Sequence, residues 1–225
     1  MITSAANPTV KLVRKLLAQK RKRDELGLFV VEGEDLVDAA RSAGIEPVEL
    51  LVAGETVAAD LLAELSTLAH PARVVGVFRA ADLPRQQREA TLALWRVGDP
   101  GNVGTLLRTS DAFCAGLALS VGCADPLAPK ALRASAGAIF RVPLVGFDEA
   151  QGSRVALVAH GGTPLGEVDL GGQIVFLLGA ERSGLPDELV ARSDKVATIG
   201  LPGSAESLNV AAAGAVALYA RSRQV

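Results

Sequence analysis

Three glycine-containing stretches of this sequence carry side chains that could do chemistry: Val97–Gly104 (VGDPGNVG), Gly179–Gly184 (GAERSG) and Ile199–Ala213 (IGLPGSAESLNVAAA). Glycine lets backbone approach a ligand closely, and Ser or Asn at a helix start can bind through both side chain and amide. The helix predicted after the third stretch adds partial positive charge at its N-terminus, which suits a carboxylate or a phosphate. One loop of this kind is a common structural turn, but three in one domain indicate a ligand site.

The spacing of residues in these loops argues against several familiar kinds of site. None contains the Gly-Lys-Ser/Thr of a P-loop, and none completes a Gly-x-Gly-x-x-Gly dinucleotide fingerprint. The two histidines, His70 and His160, and the two cysteines, Cys114 and Cys123, form no recognisable metal-ligand set, so we expect no metal. No Ser-His-Asp set is evident, although Ser207 stays open as a nucleophile on composition alone.

The elements that must position these loops alternate between strands and helices. Predicted strands end at Arg96, Leu178 and Ile199, directly before the three stretches. They read as continuous apolar runs, which is typical of a parallel sheet covered on both faces. In such sheets ligands bind at the carboxyl ends of the strands, where loops lead into helices. The sequence therefore predicts an α/β fold with its site at that edge.

A polar stretch with a proline, Asp82–Glu89 (DLPRQQRE), is the best candidate for a linker between two domains. We expect a smaller α/β domain over residues 1–85 and a larger one over residues 86–225. In the smaller domain, apolar periodicity predicts one amphipathic helix over Val10–Lys22. In the larger domain, the helix that follows the first glycine-containing stretch is predicted over Gly104–Ala112.

The composition is that of a globular protein with a sizeable aliphatic core. Of 225 residues, 49% are hydrophobic, 21% are charged and only 4% are aromatic. No apolar run is long enough to cross a bilayer, and the basic N-terminus lacks the apolar core of a signal peptide. We therefore expect a cytoplasmic location.

Positive charge is concentrated at the N-terminus. Residues 1–30 hold seven basic and two acidic residues (net +5), whereas the remainder holds 16 basic and 23 acidic ones (net −7). This asymmetry indicates a localised contact with nucleic acid, although a solvated helix face would look the same. The candidate contacts are Lys11, Arg14, Lys15, Lys20, Arg21 and Arg23, with Lys130 and Arg133 as further phosphate contacts.

In order and spacing, the three stretches resemble the three motifs of the SpoU (TrmH-like) RNA ribose methyltransferases of the SPOUT class. The motifs are DPGNVGTLLRTSDAF, FLLGAERSGLP and SLNVAAA, and FVVEGEDLVDAA and PKALRASAGAIFRVPL also resemble this family. The residues at family positions are Asn102, Gly104, Arg108, Gly179, Glu181, Gly184, Ser207, Leu208 and Asn209.

The resemblance implies transfer of a methyl group from S-adenosylmethionine to a ribose 2′-hydroxyl. It also implies a trefoil-knotted SPOUT domain with a mostly parallel sheet, a homodimer through this C-terminal domain, and an N-terminal substrate-binding domain of L30e-like fold. Ribosomal RNA, most simply 23S rRNA, is favoured over tRNA because the L30e-like extension is commoner among rRNA-directed members. A tRNA methyltransferase, or an RNA-binding or ribosome-assembly protein without turnover, is the alternative.

By the same resemblance, one group of residues holds the cofactor and another surrounds the reacting atoms. The cofactor-binding residues are Ala159, Leu178, Gly179, Ile199, Leu201 and Leu208, and the catalytic candidates are Asn102, Arg108, Glu181, Ser207 and Asn209.

The roles of the catalytic candidates stay partly open. An arginine remains protonated in proteins, so Arg108 is expected to orient the 2′-hydroxyl or hold the adjacent phosphate, unless it forms a structural salt bridge. Glu181 could accept hydrogen bonds from an arginine or the ribose, or bond local amides; Asn102 could position substrate or shape its turn. Ser207 and Asn209 could bind substrate or cofactor, or cap the final helix.

Overall fold

A computed structural model describes residues 1–224, whose strands form two separate sheets. The helices are α1 (Pro8–Ala18), α2 (Lys20–Leu26), α3 (Glu34–Ser42), α4 (Ala59–Leu65), α5 (Pro100–Ala112), α6 (Pro129–Ser135), α7 (Asp187–Ala191) and α8 (Val210–Ser222). The strands are β1 (Leu28–Glu32), β2 (Glu49–Val52), β3 (Val74–Arg79), β4 (Ala90–Leu94), β5 (Gly116–Leu119), β6 (Leu144–Gly146), β7 (Ser153–Val158), β8 (Thr163–Pro164), β9 (Ile174–Leu178) and β10 (Lys195–Thr198).

The first sheet is antiparallel, in the order β1-β3-β2. Its side chains alternate between two cores, as the pleat requires. Val30, Val75 and Val77 pack with the buried faces of α1 and α4. Phe29 and Phe78 face the other way and join the core of the larger sheet. The smaller sheet therefore belongs to two cores at once.

The basic N-terminal segment forms two helices, so the prediction of one helix over Val10–Lys22 is wrong. The chain leaves the helical conformation at Gln19, where φ is −127° and ψ is 110°. No glycine or proline marks this break in the sequence. It changes the direction of α2 and separates the basic residues of the two helices.

The second sheet has seven parallel strands in the order β6-β5-β4-β9-β7-β10-β8. This confirms the predicted α/β class and its parallel sheet. Every residue of β4 and β9 is buried, which explains their continuous apolar runs. Strand β9 is inserted between β4 and β7, although both of these strands come earlier in the chain.

Helices α5 and α8 cover one face of this sheet and contact each other. A side chain on Gly214 would lie 2.5 Å from Leu106 Cδ2, so the two helices are close at this point. Helix α5 begins at Pro100, with Asp99 as its N-cap, four residues before the predicted start. Asn102 and Gly104 therefore lie in the first turns of a helix and not in a loop.

The two halves share a tightly packed boundary. Phe29, Phe78 and Phe140 form an aromatic cluster there, with ring centroids 5.4 to 6.1 Å apart.

None of the helices within residues 1–224 has the length and apolar character needed to span a membrane.

Candidate functional site

The three motif loops follow β4, β9 and β10 and meet at the carboxyl-terminal edge of the large sheet. The second and third loops, together with the loop after β7, enclose a cavity of about 610 Å³. The lining residues are Leu157 to His160, Leu178 to Gly184, Ile199, Leu201, Glu206 to Val210, and Ala213. This is the edge at which the sequence predicted a ligand site.

A chain of polar side chains joins the three loops. Asn102 Nδ2 donates a 2.9 Å hydrogen bond to Glu181 Oε1, and Asn209 Nδ2 donates a 3.1 Å bond to Asn102 Oδ1. Asn209 Oδ1 accepts from the backbone N–H of Ala211 at 2.9 Å and so caps α8. One asparagine therefore both caps a helix and contacts the first motif.

Glu181 also binds the main chain of the first motif loop. Its carboxylate oxygens accept from the N–H groups of Gly98 and Asp99, each at 3.3 Å. Burial by itself would raise the pKa of Glu181, but the hydrogen bonds from Asn102, Gly98 and Asp99 outweigh it, so the pKa is lowered. The carboxylate is thus held in its charged form at neutral pH.

The shape of the second loop depends on Gly179. A Cβ atom there would lie 2.1 Å from the carbonyl carbon of Gly184 and 2.3 Å from Leu185 N. The loop turns back on itself through paired backbone hydrogen bonds between Ala180 and Gly184, with Gly184 at φ +65°. Only a residue without a side chain fits at this closure.

The residues expected to hold the cofactor all line this cavity: Ala159, Leu178, Gly179, Ile199, Leu201 and Leu208. Three catalytic candidates, Glu181, Ser207 and Asn209, line it too. Sequence reasoning missed the polar lining residues His160, Arg182, Ser183 and Glu206. The signal available for the last three was their position inside a motif loop.

A second, more open groove of about 600 Å³ adjoins the cavity and shares Ala180, Glu181 and Arg182 with it. Its other lining residues are Arg96, Gly98, Asp99, Pro100 and Asn102. The backbone N–H of Gly101 and the ammonium of Lys130, 3.1 Å from Oδ1, lower the pKa of Asp99. Asn102 lines this groove, and its side chain bonds Glu181 and Asn209 in the wall of the cavity.

Arg108 lies six residues after Asn102 on α5 and lines neither space. Six helical residues rise about 9 Å, so the two side chains leave the helix at different levels. Arg108 is exposed and forms no hydrogen bond or ion pair with any residue in 1–224. The structural salt bridge considered for it is therefore not formed within this part of the chain.

Most of the candidate RNA contacts at the N-terminus are exposed, namely Lys11, Arg14, Lys15, Lys20 and Arg21. Arg23 is the exception, and its assignment to this set is wrong. It is only 6% exposed, and its guanidinium bonds Asp125 Oδ2 at 2.7 and 2.8 Å and the carbonyl of Leu16. The change of direction at Gln19 brings Arg23 into the boundary between the two halves.

The two basic residues on α6 are engaged in the protein. Lys130 binds Asp99, as described above, and Arg133 Nη1 donates to Thr67 Oγ1 at 3.0 Å. Arg133 also lies 3.8 Å from the buried carboxylate of Glu32. Both side chains, Lys130 and Arg133, remain partly exposed.

Within residues 1–224, no group of three or more His, Cys, Asp or Glu side chains is arranged to hold a metal ion.

Comparison with known proteins gives matches along nearly the whole chain. Residues 89–219 match the model of the SpoU rRNA Methylase family, and residues 7–81 match an MRM3-like substrate binding domain. The chain is 33% identical to a 23S rRNA (guanosine(2553)-2′-O)-methyltransferase of Bacillus subtilis, with 97% of each chain covered. It is 31% identical to a 23S rRNA (uridine(2479)-2′-O)-methyltransferase of Streptomyces viridochromogenes, over 93% of this chain and 87% of the relative.

The fold matches a solved structure equally well. The crystal structure of an AdoMet-bound rRNA methyltransferase from Sinorhizobium meliloti superposes with a TM-score of 0.87 at 32% identity. The match covers 100% of this chain and 97% of that one. It confirms the fold class that the three motifs implied.

Proposed function

The chain belongs to the SpoU rRNA methylase family, and we propose that it transfers a methyl group from S-adenosylmethionine to a ribose 2′-hydroxyl of 23S rRNA. The observation that carries this proposal is the meeting of three distant motif loops at one cavity: the second and third line it, and Asn102 of the first bonds Glu181 and Asn209 in its wall. The two relatives described above are named for different 23S rRNA nucleotides, a guanosine and a uridine. We therefore propose 23S rRNA as the substrate and assign no particular nucleotide.

The cavity fits S-adenosylmethionine in size and in the character of its lining. About 610 Å³ lies within the usual range for a small-ligand site. Leu178, Ile199, Leu201 and Leu208 offer apolar surface for the adenine, and Gly179 offers main-chain atoms. When bound, S-adenosylmethionine supplies the methyl group on a sulfonium, so the protein has mainly to align the hydroxyl and manage one proton.

Arg108 is proposed to orient the 2′-hydroxyl or to hold the phosphate beside it. Its planar donors are not used by any residue in 1–224, and an arginine keeps its charge at any working pH. Asn102, Glu181 and Asn209 are positioning residues, because their polar atoms hold the motif loops together. The lowered pKa of Glu181 argues against it as the proton acceptor. Ser207 lines the cavity with no hydrogen bond inside the described chain and stays a candidate for substrate contact.

The test is transfer of tritium from labelled S-adenosylmethionine to unmodified 23S rRNA transcripts. Arg108→Ala should lower kcat by about 10²-fold or more, the range for losing an aligning group, while calorimetric affinity for S-adenosylmethionine stays unchanged. Arg192→Ala is the control, because Arg192 is also exposed but lies at the end of α7, outside the three motifs. Full labelling by Arg108→Ala would contradict the role given to Arg108.

The same assay separates the alternative functions. Wild-type protein that labels tRNA and not 23S rRNA would be a tRNA methyltransferase. Wild-type protein that binds both cofactor and RNA yet labels nothing would be a ribosome-assembly protein. Primer extension at low dNTP concentration then maps the methylated nucleotide.

We further propose that residues 1–85 form the RNA-binding domain and residues 86–225 the methyltransferase domain, both acting in the cytoplasm. Support comes from the separate three-stranded sheet and from five exposed basic residues on α1 and α2. A homodimer through the C-terminal domain is proposed because α8 exposes apolar side chains, Val216 at 38% and Tyr219 at 57%. Sedimentation equilibrium at micromolar concentration should give twice the chain mass, and a monomer would contradict the dimer.

A further inference from the structure

Arg96 has an unusual backbone conformation at the mouth of the groove. Its φ is +52°, in the left-handed region that favours glycine, so an arginine there is strained. The neighbouring backbone is fixed by hydrogen bonds: Trp95 N–H donates to Leu178 O at 2.8 Å and Arg96 N–H to Ser120 Oγ at 2.9 Å. Backbone strain that the surroundings hold in place clusters at active sites and ligand-binding residues.

The side chain of Arg96 is held in place as well. Its guanidinium carbon lies 5.6 Å from the centroid of the Trp95 ring, and Trp95 packs edge-on against Phe147. On the other side its aliphatic stem passes Gly122, where a Cβ atom would be 3.2 Å from Arg96 Cγ. A guanidinium stacked on a ring keeps its in-plane N–H donors free for a planar or tetrahedral anion.

The charges around the groove leave those donors without a partner in the protein. The carboxylates that line the groove, Asp99 and Glu181, are bound by Lys130, Asn102 and backbone N–H groups. The side chains of the two lining arginines, Arg96 and Arg182, form no hydrogen bond or ion pair with any residue in 1–224. The groove thus offers two free cations beside the cavity, while Asp99 is paired with Lys130 and Glu181, still charged, has its oxygens hydrogen-bonded within the protein.

We propose that Arg96 is a binding residue for a backbone phosphate of the substrate RNA, next to the nucleotide that enters the cavity, with Arg182 on the opposite loop as its companion. This inference rests on the proposed function, because it takes RNA as the substrate. The groove shares Ala180, Glu181 and Arg182 with the cavity. A phosphate held in the groove would therefore lie beside the nucleotide whose ribose enters the cavity. Fixing that phosphate would set the register of the nucleotide without reading its base.

The decisive variant is Arg96→Gly, because glycine removes the guanidinium and also relieves the strain at φ +52°. We expect its melting temperature to equal or exceed that of the wild type, with unchanged affinity for S-adenosylmethionine. Its affinity for 23S rRNA transcripts in filter binding should fall about tenfold or more, as for one charge-assisted contact. The KM for RNA should rise correspondingly.

Salt dependence separates a phosphate contact from base stacking or a structural role. Losing one phosphate contact should reduce the slope of log affinity against log salt concentration by about 0.7 to 0.9. Arg96→Lys keeps the charge but loses the paired N–H donors of the planar guanidinium. We expect it to retain most of that slope, with an RNA affinity between those of the wild type and Arg96→Gly. Arg192→Ala serves as the control for losing an arginine elsewhere on the surface and should match the wild type.

Each remaining outcome counts against a specific claim. An unchanged RNA affinity for Arg96→Gly, or a loss of affinity with an unchanged salt slope, would overturn the phosphate assignment. A lower melting temperature with weaker cofactor binding would show that Arg96 is structural. If the wild type neither binds nor methylates 23S rRNA, the proposed function itself fails, which is a different result from an active wild type with an unaffected Arg96→Gly.

Discussion

Glu181 accepts hydrogen bonds from three donors of the first motif: Asn102 Nδ2 at 2.9 Å and the backbone N–H groups of Gly98 and Asp99 at 3.3 Å. These bonds favour the carboxylate over the acid, which is why its pKa lies below 4.5, the ordinary value for a glutamate. The charged form of Glu181 is therefore linked to the closed arrangement of the first and second loops.

That link makes stability depend on pH in a definite direction. Because the folded pKa is lowered, the contribution of Glu181 is fully present above the unfolded value of 4.5 and is lost as the pH falls below it. We expect the melting temperature of wild type to exceed that of Glu181→Gln by a constant amount from pH 7 to about pH 5, and the gap to close on further acidification. Thermal unfolding of both proteins at a series of pH values measures the gap. A gap unchanged at pH 3.5, or one that widens with acid, would contradict this assignment.

Sequence alone predicted the members of this polar chain but not their bonds. Asn102, Glu181 and Asn209 were each open to two roles because their partners are distant along the chain, 79 residues apart for Asn102 and Glu181 and 107 for Asn102 and Asn209. Local spacing carries no information about such contacts. The left-handed conformation of Arg96 could not be predicted at all, because no sequence pattern marks a non-glycine residue with a positive φ.

At the scale of elements, helix α5 meets α6 and α8 at two glycines. A Cβ atom on Gly104 would lie 2.4 Å from the backbone oxygen of Ala131, whereas one on Gly214 would lie 2.5 Å from the side-chain tip of Leu106. Backbone cannot move aside as a side chain can. The two glycines should therefore differ in their tolerance of a methyl group.

We expect Gly104→Ala to destabilise the protein by about 1 to 3 kcal/mol, the usual cost of overpacking, despite the better helix propensity of alanine. Gly214→Ala should cost less, because Leu106 can change its rotamer. Gly166→Ala is the matched control, since nothing lies within 4 Å of its Cβ position and its φ is not positive. Urea unfolding at 25 °C measures all three. Equal stability of the Gly104 and Gly214 variants would show that α5 and α6 separate easily.

The boundaries of elements were predictable to different degrees. The predicted end of the buried strand at Leu178 is the observed end, because an uninterrupted apolar run before a turn residue specifies it. The start of α5 was placed four residues late, although Asp99-Pro100 is an N-cap and first-turn signal, because Gly101 and Gly104 made the stretch look like a loop. The break at Gln19 has no glycine or proline to mark it, and the contact of Arg23 beyond it is with Asp125, 102 residues away.

At the scale of the whole molecule, the two halves are joined by the aromatic cluster and by one buried ion pair. Arg23 and Asp125 are 6% and 10% exposed and 2.7 Å apart. The backbone N–H of Ala124, next to Asp125, donates to Val97 O at 2.8 Å, at the start of the first motif loop. A contact of the N-terminal helices is thus two residues away from the loop that carries Gly98 and Asp99. The antiparallel first sheet and the insertion of β9 between β4 and β7 also belong to this scale, and neither follows from the order of elements along the chain.

The ion pair should matter most when only one partner is removed. Arg23→Ala leaves the Asp125 carboxylate buried without its counter-ion, and we expect a loss of about 3 to 5 kcal/mol of unfolding free energy. Lys20→Ala is the control on the same helix: its pair with Asp24 is also short, at 2.8 Å, but is more than half exposed, so it should cost less than about 1 kcal/mol. The double variant Arg23→Met with Asp125→Asn removes both charges and leaves an amide oxygen to accept from Leu127 N–H, as Asp125 Oδ1 does at 2.9 Å. Its cost should be well below the summed costs of Arg23→Met and Asp125→Asn made singly. Denaturant unfolding of this cycle measures the coupling, and additive costs would mean that the pair does not hold the two halves together.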